Sequence, residues 1–147
     1  MPENLGARGE DEAARFLRSL GMKILARGWR CPLGEIDIIA ADGQTLVFAE
    51  VKTRSYAAFG GPAAAVTKSK RKKIINCAQA YIKSKPAIAA AFSGGESEGG
   101  VFVRAAGKIR AALGGESRFS QARFDVIAII AGEKPAHIKD AFRSGTG

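Results

Sequence analysis

An aspartate, a glutamate and a lysine stand in two apolar runs where charge is costly: Gly34-Glu35-Ile36-Asp37-Ile38-Ile39-Ala40 and Leu46-Val47-Phe48-Ala49-Glu50-Val51-Lys52. If Asp37, Glu50 and Lys52 meet, two carboxylates beside an ammonium make a site for a divalent cation, the equipment for cutting a phosphodiester. Whether they meet depends on the turn between the runs. Ala41-Asp42-Gly43-Gln44 carries Asp-Gly between alternating apolar residues, a strong hairpin signal. With Asp42 and Gly43 as the loop, Ala41 faces Gln44 and Asp37 lies across from Phe48. Side chains alternate faces along a strand, so Asp37 shares its face with Phe48, Glu50 and Lys52. Glu50 is then a diagonal neighbour, with the backbones roughly 7–8 Å apart. A four-residue loop keeps that parity, whereas a three-residue loop breaks it.

The other face of the hairpin reads Ile36, Ile38, Ala40 and Val47, Ala49, Val51, all apolar. Near the turn the first face is apolar too, with Ile39, Ala41, Leu46 and Phe48. A hairpin apolar on both sides belongs to a sheet covered on both sides. The charged trio then sits toward one end of a mostly buried hairpin and needs neutralising. Strand spacing leaves two accounts open. Lys52 can pair with Asp37 or Glu50 as a structural salt bridge, or the carboxylates can hold Mg²⁺ or Mn²⁺, which prefer oxygen ligands and keep waters for substrate.

The length of 147 residues suits a single domain, 1–147, with a core of ordinary size. No run approaches the roughly 18 apolar residues of a membrane span. The first residues carry Glu3, Glu10, Asp11 and Glu12 and lack the basic start and apolar middle of a signal peptide. Cys31 and Cys77 are far apart in sequence and fit no metal or redox spacing, so a reduced, cytoplasmic protein is expected. The net charge of +9, from 23 basic and 14 acidic residues, points to an anionic partner without choosing among DNA, RNA and lipid. One histidine, His137, excludes two-histidine phosphodiesterase chemistry and His-rich zinc sites; in Pro135-Ala136-His137-Ile138 it reads as a surface or packing residue.

The elements that must position these groups follow from periodicity. Leu5 to Leu20 reads as an amphipathic helix, with Ala13, Phe16, Leu17 and Leu20 on its apolar side, Asp11, Arg15 and Arg18 on the wet side, and Gly21 as its stop. Glu10 falls on the apolar side. Met22 to Trp29 reads as a strand. A loop from Thr53 to Gly61 holds Tyr56, Phe59 and the breaker Gly60-Gly61-Pro62. A second helix runs from about Thr67 to Ser84, its apolar side Ile74, Ile75, Ala78, Tyr81 and Ile82. Lys68, Lys70, Arg71, Lys72 and Lys73 crowd its first turns, where the helix dipole already disfavours cations. A phosphate backbone would answer both, while a solvated basic face remains the alternative. From about 86 to 120 the chain reads as a Gly-rich insertion, with seven of the 18 glycines between Gly94 and Gly115. Within it Val101-Phe102-Val103 suggests a short strand and Lys108 to Leu113 a helical turn. Arg123 to Ile130 returns as a buried strand. The order helix, strand, hairpin, helix, insertion, strand predicts an α/β domain with a mixed sheet flanked by helices.

Taken together, Gly9-Glu10, Gly34 to Ala40, Phe48-Ala49-Glu50-Val51-Lys52-Thr53-Arg54, Phe59-Gly60 and Arg123-Phe124-Asp125-Val126-Ile127 resemble the YraN-like family of small bacterial proteins. That family is similar to archaeal Holliday-junction resolvases and sits within the restriction-endonuclease-like, PD-(D/E)xK nuclease fold. The resemblance covers the chain except about Pro86 to Ser120. It implies Asp37 as motif aspartate and first metal ligand, and Glu50 as second ligand with the Val51 carbonyl beside it. Lys52 is implied as the lysine that orients the attacking water, and Glu10 as the helix carboxylate of the resolvases. Ile36 stands where the motif has proline.

The reading expected from residues and resemblance is a Mg²⁺- or Mn²⁺-dependent endonuclease acting on branched or otherwise structured DNA. Arg54, Lys68, Lys70, Arg71, Lys72 and Lys73 would contact phosphate, and a homodimer is expected by analogy with resolvases. The alternative is a nucleic-acid-binding module that keeps the fold without cutting. A third reading, a basic structural partner in a larger assembly, expects only weak, salt-insensitive association with nucleic acid.

Overall fold

The computed structural model describes residues 5–54, 66–85, 109–111, 115–117, 119 and 121–143. In chain order these form α1 (Leu5–Ser19), β1 (Lys23–Cys31), β2 (Gly34–Asp42), β3 (Thr45–Arg54), α2 (Lys68–Ser84), β4 (Ile109–Ala111), β5 (Gly115–Ser117), β6 (Gln121–Ile130) and β7 (Ala136–Phe142). Five strands make one sheet in the order β1-β2-β3-β6-β7. Only β3 and β6 run parallel, so the sheet is mixed. A parallel pair needs a crossover, and α2 lies in the connection. The α/β architecture is the one expected and is compatible with the restriction-endonuclease-like fold.

Each face of the sheet has its own core. Ala13, Ala14 and Leu17 of α1 pack with Ile38, Ala40, Val47, Ala49 and Ile127. Ile74, Cys77, Ala78, Tyr81 and Ile82 of α2 pack with Ile39, Leu46, Phe48, Phe124 and Phe142. Phe48 stacks on Phe124, and Phe124 on Phe142, at ring separations of 5.7 and 5.0 Å. Alternation along β2 and β3 therefore feeds both layers, which is why both faces of the hairpin are apolar. Small residues at Gly9, Ala13 and Ala14 let α1 lie close to the strands. Leu20, expected on the apolar side, is exposed, because the helix ends at Ser19 and the chain turns through Gly21 at φ 87°.

Three sequence expectations change. The pattern stops at β6, whereas β7 adds an edge strand; its exposed and half-exposed, polar-studded run carries no clean period-two signal. In place of the helical turn expected over Lys108 to Leu113, Ile109–Ala111 pairs with Gly115–Ser117 as an antiparallel ladder. The pairing satisfies backbone groups that a single isolated turn would leave open. The hairpin loop is Gly43-Gln44, with Asp42 facing Thr45, one residue later than expected. Gly43 alone takes positive φ (56°), and Asp42 stays in the strand, where its Oδ2 accepts from Arg123 Nη2 at 3.1 Å. The expected loop around Tyr56, Phe59 and Gly60-Gly61-Pro62, and the strand at Val101-Phe102-Val103, lie outside the described residues.

Both sheet edges are irregular. In β1 the register slips between Ile24 and Ala26, and Gly28 sits at φ 56°. In β7 it slips opposite Phe124–Val126, where Asp140 takes φ 52°. The second irregularity has a visible cause. Asp125, fully buried in β6, accepts from the Asp140 amide at 3.1 Å, from Arg123 Nε at 2.7 Å, and lies 2.7 Å from His137 Nε2. Burial alone would raise its carboxyl, but these partners reverse that and hold it below the usual carboxylate range. Of the two alternatives expected for His137, surface or packing, the structure shows packing: its side chain is 7% exposed and its ring is set edge-on to Phe16 at 6.0 Å.

Asp125→Asn should therefore cost about 3–5 kcal/mol in urea unfolding, because it replaces the buried carboxylate that accepts from Arg123 and the Asp140 amide with a neutral group. In the native chain the lowered carboxyl contributes stability that is complete above the ordinary carboxylate range. That stability is lost as pH falls through the lowered value, and the Asn variant should lack this acid limb.

Candidate metal centre and basic cleft

The β2–β3 ladder runs from Asp42–Thr45 to Ile38–Ala49 and stops there. One step further in the same register, Asp37 falls directly across from Glu50, rather than diagonal to it. The loop still has two residues, so the parity that sets both acids together survives. Past Ile38 the strands part, and the Val51 amide donates to Asp37 Oδ2 at 2.9 Å instead of joining the ladder. This end of β2 stays paired with β1 as far as Gly34. Ile36, expected beside Ile38, packs in the α2-side core with Ile39 and Phe48.

Glu50 lies in this fork with its side chain 5% exposed. Its Oε1 is 3.4 Å from Lys52 Nζ and 3.6 Å from Lys70 Nζ. Its Oε2 is buried with no hydrogen-bond partner among the described residues. Burial, then the adjoining Asp37 carboxylate, push the Glu50 carboxyl up to about 7 against the pull of Lys70 and Lys52. A buried carboxylate oxygen without a donor, set against a second carboxylate, is a donor set suited to a hard divalent cation. In a strand, a residue's amide and carbonyl point to the same neighbour, so the Val51 carbonyl turns toward the same fork. The residues present fit Mg²⁺ or Mn²⁺ with Asp37 and Glu50 as side-chain ligands.

The fork opens into a cavity of about 840 Å³ between α1, the end of β3 and the start of α2. Glu10 is half-buried in its wall. Its carboxyl is raised by burial first and then by the charge of Asp37, with Arg27 opposing. Among the described residues no three His, Cys, Asp or Glu side chains are grouped tightly enough to cage an ion, so Glu10 stands outside the Asp37–Glu50 pair. Gly9 explains how α1 comes so near: a Cβ there would lie 2.1 Å from Thr53 Oγ1.

The expected basic cluster divides. Lys70, fixed in the first turn of α2 by the Thr67 cap (Lys70 N to Thr67 Oγ1, 3.2 Å), reaches the fork. Arg71 turns away: its Nε donates to the Val66 carbonyl at 2.9 Å and its guanidinium lies 5.6 Å from the Phe142 ring centre. Lys68 and Lys72 are exposed, as is Lys73 at the edge of a second, smaller cavity. Arg54 is exposed on the rim of the large cavity, its Nη1 donating to the Thr53 carbonyl at 3.1 Å. Sequence reasoning missed Glu35, which lines both cavities, and the ion pair of Lys70 with Glu50. It also left Cys31 and Cys77 apart, whereas their sulfurs lie 3.1 Å from one another. Burial, then the contact with Cys31, push the Cys77 thiol up to about 12.

The model of the uncharacterised protein family UPF0102 matches residues 9–129. A UPF0102 protein of Rhodococcus opacus is 38% identical over 142 residues, covering 94% of this chain and 95% of that one. A UPF0102 protein of Geotalea daltonii is 40% identical over 144 residues, covering 95% and 90%. A UPF0102 protein of Nocardia farcinica reaches 61% over 70 residues, a match that spans 48% of this chain and 55% of the relative. Among the described residues no helix is long and apolar enough to cross a membrane.

Two variants probe the construction of the site. The folded chain keeps a proton on Glu50 between about 4.5 and about 7 that the unfolded chain releases. In EDTA, stability should therefore fall as pH rises through that window, by about 1–3 kcal/mol. Glu50→Gln should lose this slope and melt higher than the native protein above the window. Gly9→Ala should lower stability by about 1–3 kcal/mol by pushing α1 off β3. Adding Thr53→Ala should recover part of that, since Thr53 Cβ remains 3.3 Å from the new methyl.

Proposed function

Within UPF0102, the family to which this chain belongs, we propose that the protein is a metal-dependent endonuclease hydrolysing phosphodiester bonds in branched or otherwise structured DNA. The observation that carries this reading is the Asp37–Glu50 pair, with Glu50 Oε2 buried and unpartnered beside Lys52. A structural salt bridge alone leaves that oxygen unexplained. A buried acid with one satisfied and one orphaned oxygen destabilises the chain, and such sites are kept where function needs them.

Asp37 and Glu50 would hold Mg²⁺ or Mn²⁺, which supplies Lewis acidity and neutralises phosphate charge when bound. The remaining work falls to side chains of the chain itself. Val51 N–H donates to Asp37 Oδ2 and so fixes the Asp37 carboxylate in orientation. Lys52, with its side chain 23% exposed, sits where it can donate to an attacking water and stabilise charge developing on phosphate in a partly dehydrated pocket. Lys70 offers a second ammonium against the same Glu50 oxygen, 3.6 Å from Oε1. Glu10 faces the cavity with a raised carboxyl, available to a water or substrate group there. The phosphate-facing cations carry no sequence preference, which suits recognition by DNA shape.

Labelled four-way junctions and linear duplexes, incubated with Mg²⁺ or Mn²⁺, test the reading. Native protein should cut, Asp37→Ala and Glu50→Ala should not, and Lys52→Ala should lose about 10²–10³-fold in rate. Binding without cutting, unchanged in both acid variants, would retire the enzyme in favour of a non-catalytic nucleic-acid-binding module.

A further inference from the structure

The smaller cavity, about 440 Å³, lies between the end of β1, the start of β2 and the first turns of α2. Its walls are Arg30, Cys31, Gly34, Glu35, Lys70 and Lys73. Glu35 and Lys70 also line the cavity of the Asp37–Glu50 pair, so the two hollows adjoin across these residues. Three cations face one carboxylate, and that carboxylate is already paired: Glu35 Oε2 lies 3.1 Å from Arg30 Nε. The floor is uncharged and open because Gly34 has no side chain. Its φ of 143° disfavours any other residue, and a Cβ there would sit 3.4 Å from Cys77 Sγ and 3.6 Å from Lys73 Cβ.

Lys70 and Lys73 are three residues apart, one above the other on a helix face. The neighbouring cations do not join them. Arg71 is held by the Val66 carbonyl and the Phe142 ring, and Lys68 and Lys72 are absent from the walls. A single small anion would need one such pocket. Two adjoining hollows that share Glu35 and Lys70, one beside a metal-type acid pair and one with three cations to a single carboxylate, suit a chain carrying regularly spaced negative charges.

We infer that the hollow bounded by Arg30, Lys70 and Lys73 seats the backbone phosphates flanking the scissile one, so that a nucleic-acid strand runs from the Asp37–Glu50 fork across Lys70 toward Arg30. The inference rests on the nuclease reading for the word scissile and on the hollow itself for the path. It separates the basic cluster into a binding pair, Lys70 and Lys73, joined by Arg30, and a solvated remainder, Lys68 and Lys72. Contacts of this kind read phosphate, not base.

Anisotropy of a fluorescein-labelled DNA duplex, in EDTA and between about 50 and 200 mM salt, measures the path without cleavage. Arg30→Ala, Lys70→Ala and Lys73→Ala should each weaken binding about tenfold and lower the salt slope by about one. Lys68→Ala and Lys72→Ala should leave the slope unchanged, and Lys73→Arg should restore it. Equal losses in all five alanine variants, or none at Arg30 and Lys73, would overturn the inference. A mutation-free readout uses Cys31, half-exposed in the wall while Cys77 is buried. Its reaction with a maleimide should slow severalfold when duplex is bound, and an unchanged rate counts against the path. Loss of cleavage activity with this slope pattern intact would sink the nuclease reading alone. Cleavage with slopes indifferent to Arg30 and Lys73 would sink the path alone.

Discussion

The parting of β2 from β3 beyond Ile38–Ala49 is the constraint on which the candidate site depends. While the ladder holds, both strands are sealed between two apolar layers and no polar group could be reached. Where it ends, the Val51 amide is left without a strand partner, and the Asp37 carboxylate takes that place. One hydrogen bond thus closes the gap in backbone pairing and anchors a charged group at the mouth of the core. Glu50 then has to share the fork with a carboxylate already committed. Its proton affinity is raised by burial first and by that neighbour second, and its Oε2 is left without a hydrogen-bond partner among the described residues.

A third buried acid besides Asp37 and Glu50 is handled differently. Asp125 is equally enclosed, yet both its oxygens are met by Arg123, His137 and the Asp140 amide, and β7 is bent to deliver the last of these. That cluster is built for rigidity. The contrast locates where the fold tolerates strain: the sheet core is satisfied at β6–β7 and left unsatisfied at β2–β3. Among the described residues Glu50 Oε2 is the one buried side-chain polar atom without a hydrogen-bond partner, and unsatisfied groups of this kind cluster at functional sites.

Much of the site was legible because a strand's period of two needs only an even loop to bring Asp37, Glu50 and Lys52 to one neighbourhood. The exact register was not, since Asp42 is kept in its strand by Arg123, a residue 81 positions away that no local pattern reveals. Nor could spacing foresee that Ile36 packs on the side opposite Ile38, beyond the point where the β2–β3 ladder ends. On α2 the crowd of cations was plain in sequence, but the division among them is set by what lies opposite each: Glu50, the Phe142 ring, or water. The close pair Cys31–Cys77 and the role of Asp125 are likewise contacts between distant segments. β7 escaped notice because an edge strand need bury little, and its alternation is correspondingly weak.

The kinks at the two flanks of the sheet have a consequence for how the molecule behaves in company. An outermost strand is an open row of amides and carbonyls, ready to recruit another chain. Here β1 is slipped at Leu25, bent at Gly28 and studded with Lys23, Arg27 and Arg30, while β7 is broken at Asp140. Neither flank offers a straight, neutral template. The sheet is capped by its own irregularity, which discourages growth into ordered aggregates even though both faces of its central hairpin are oily.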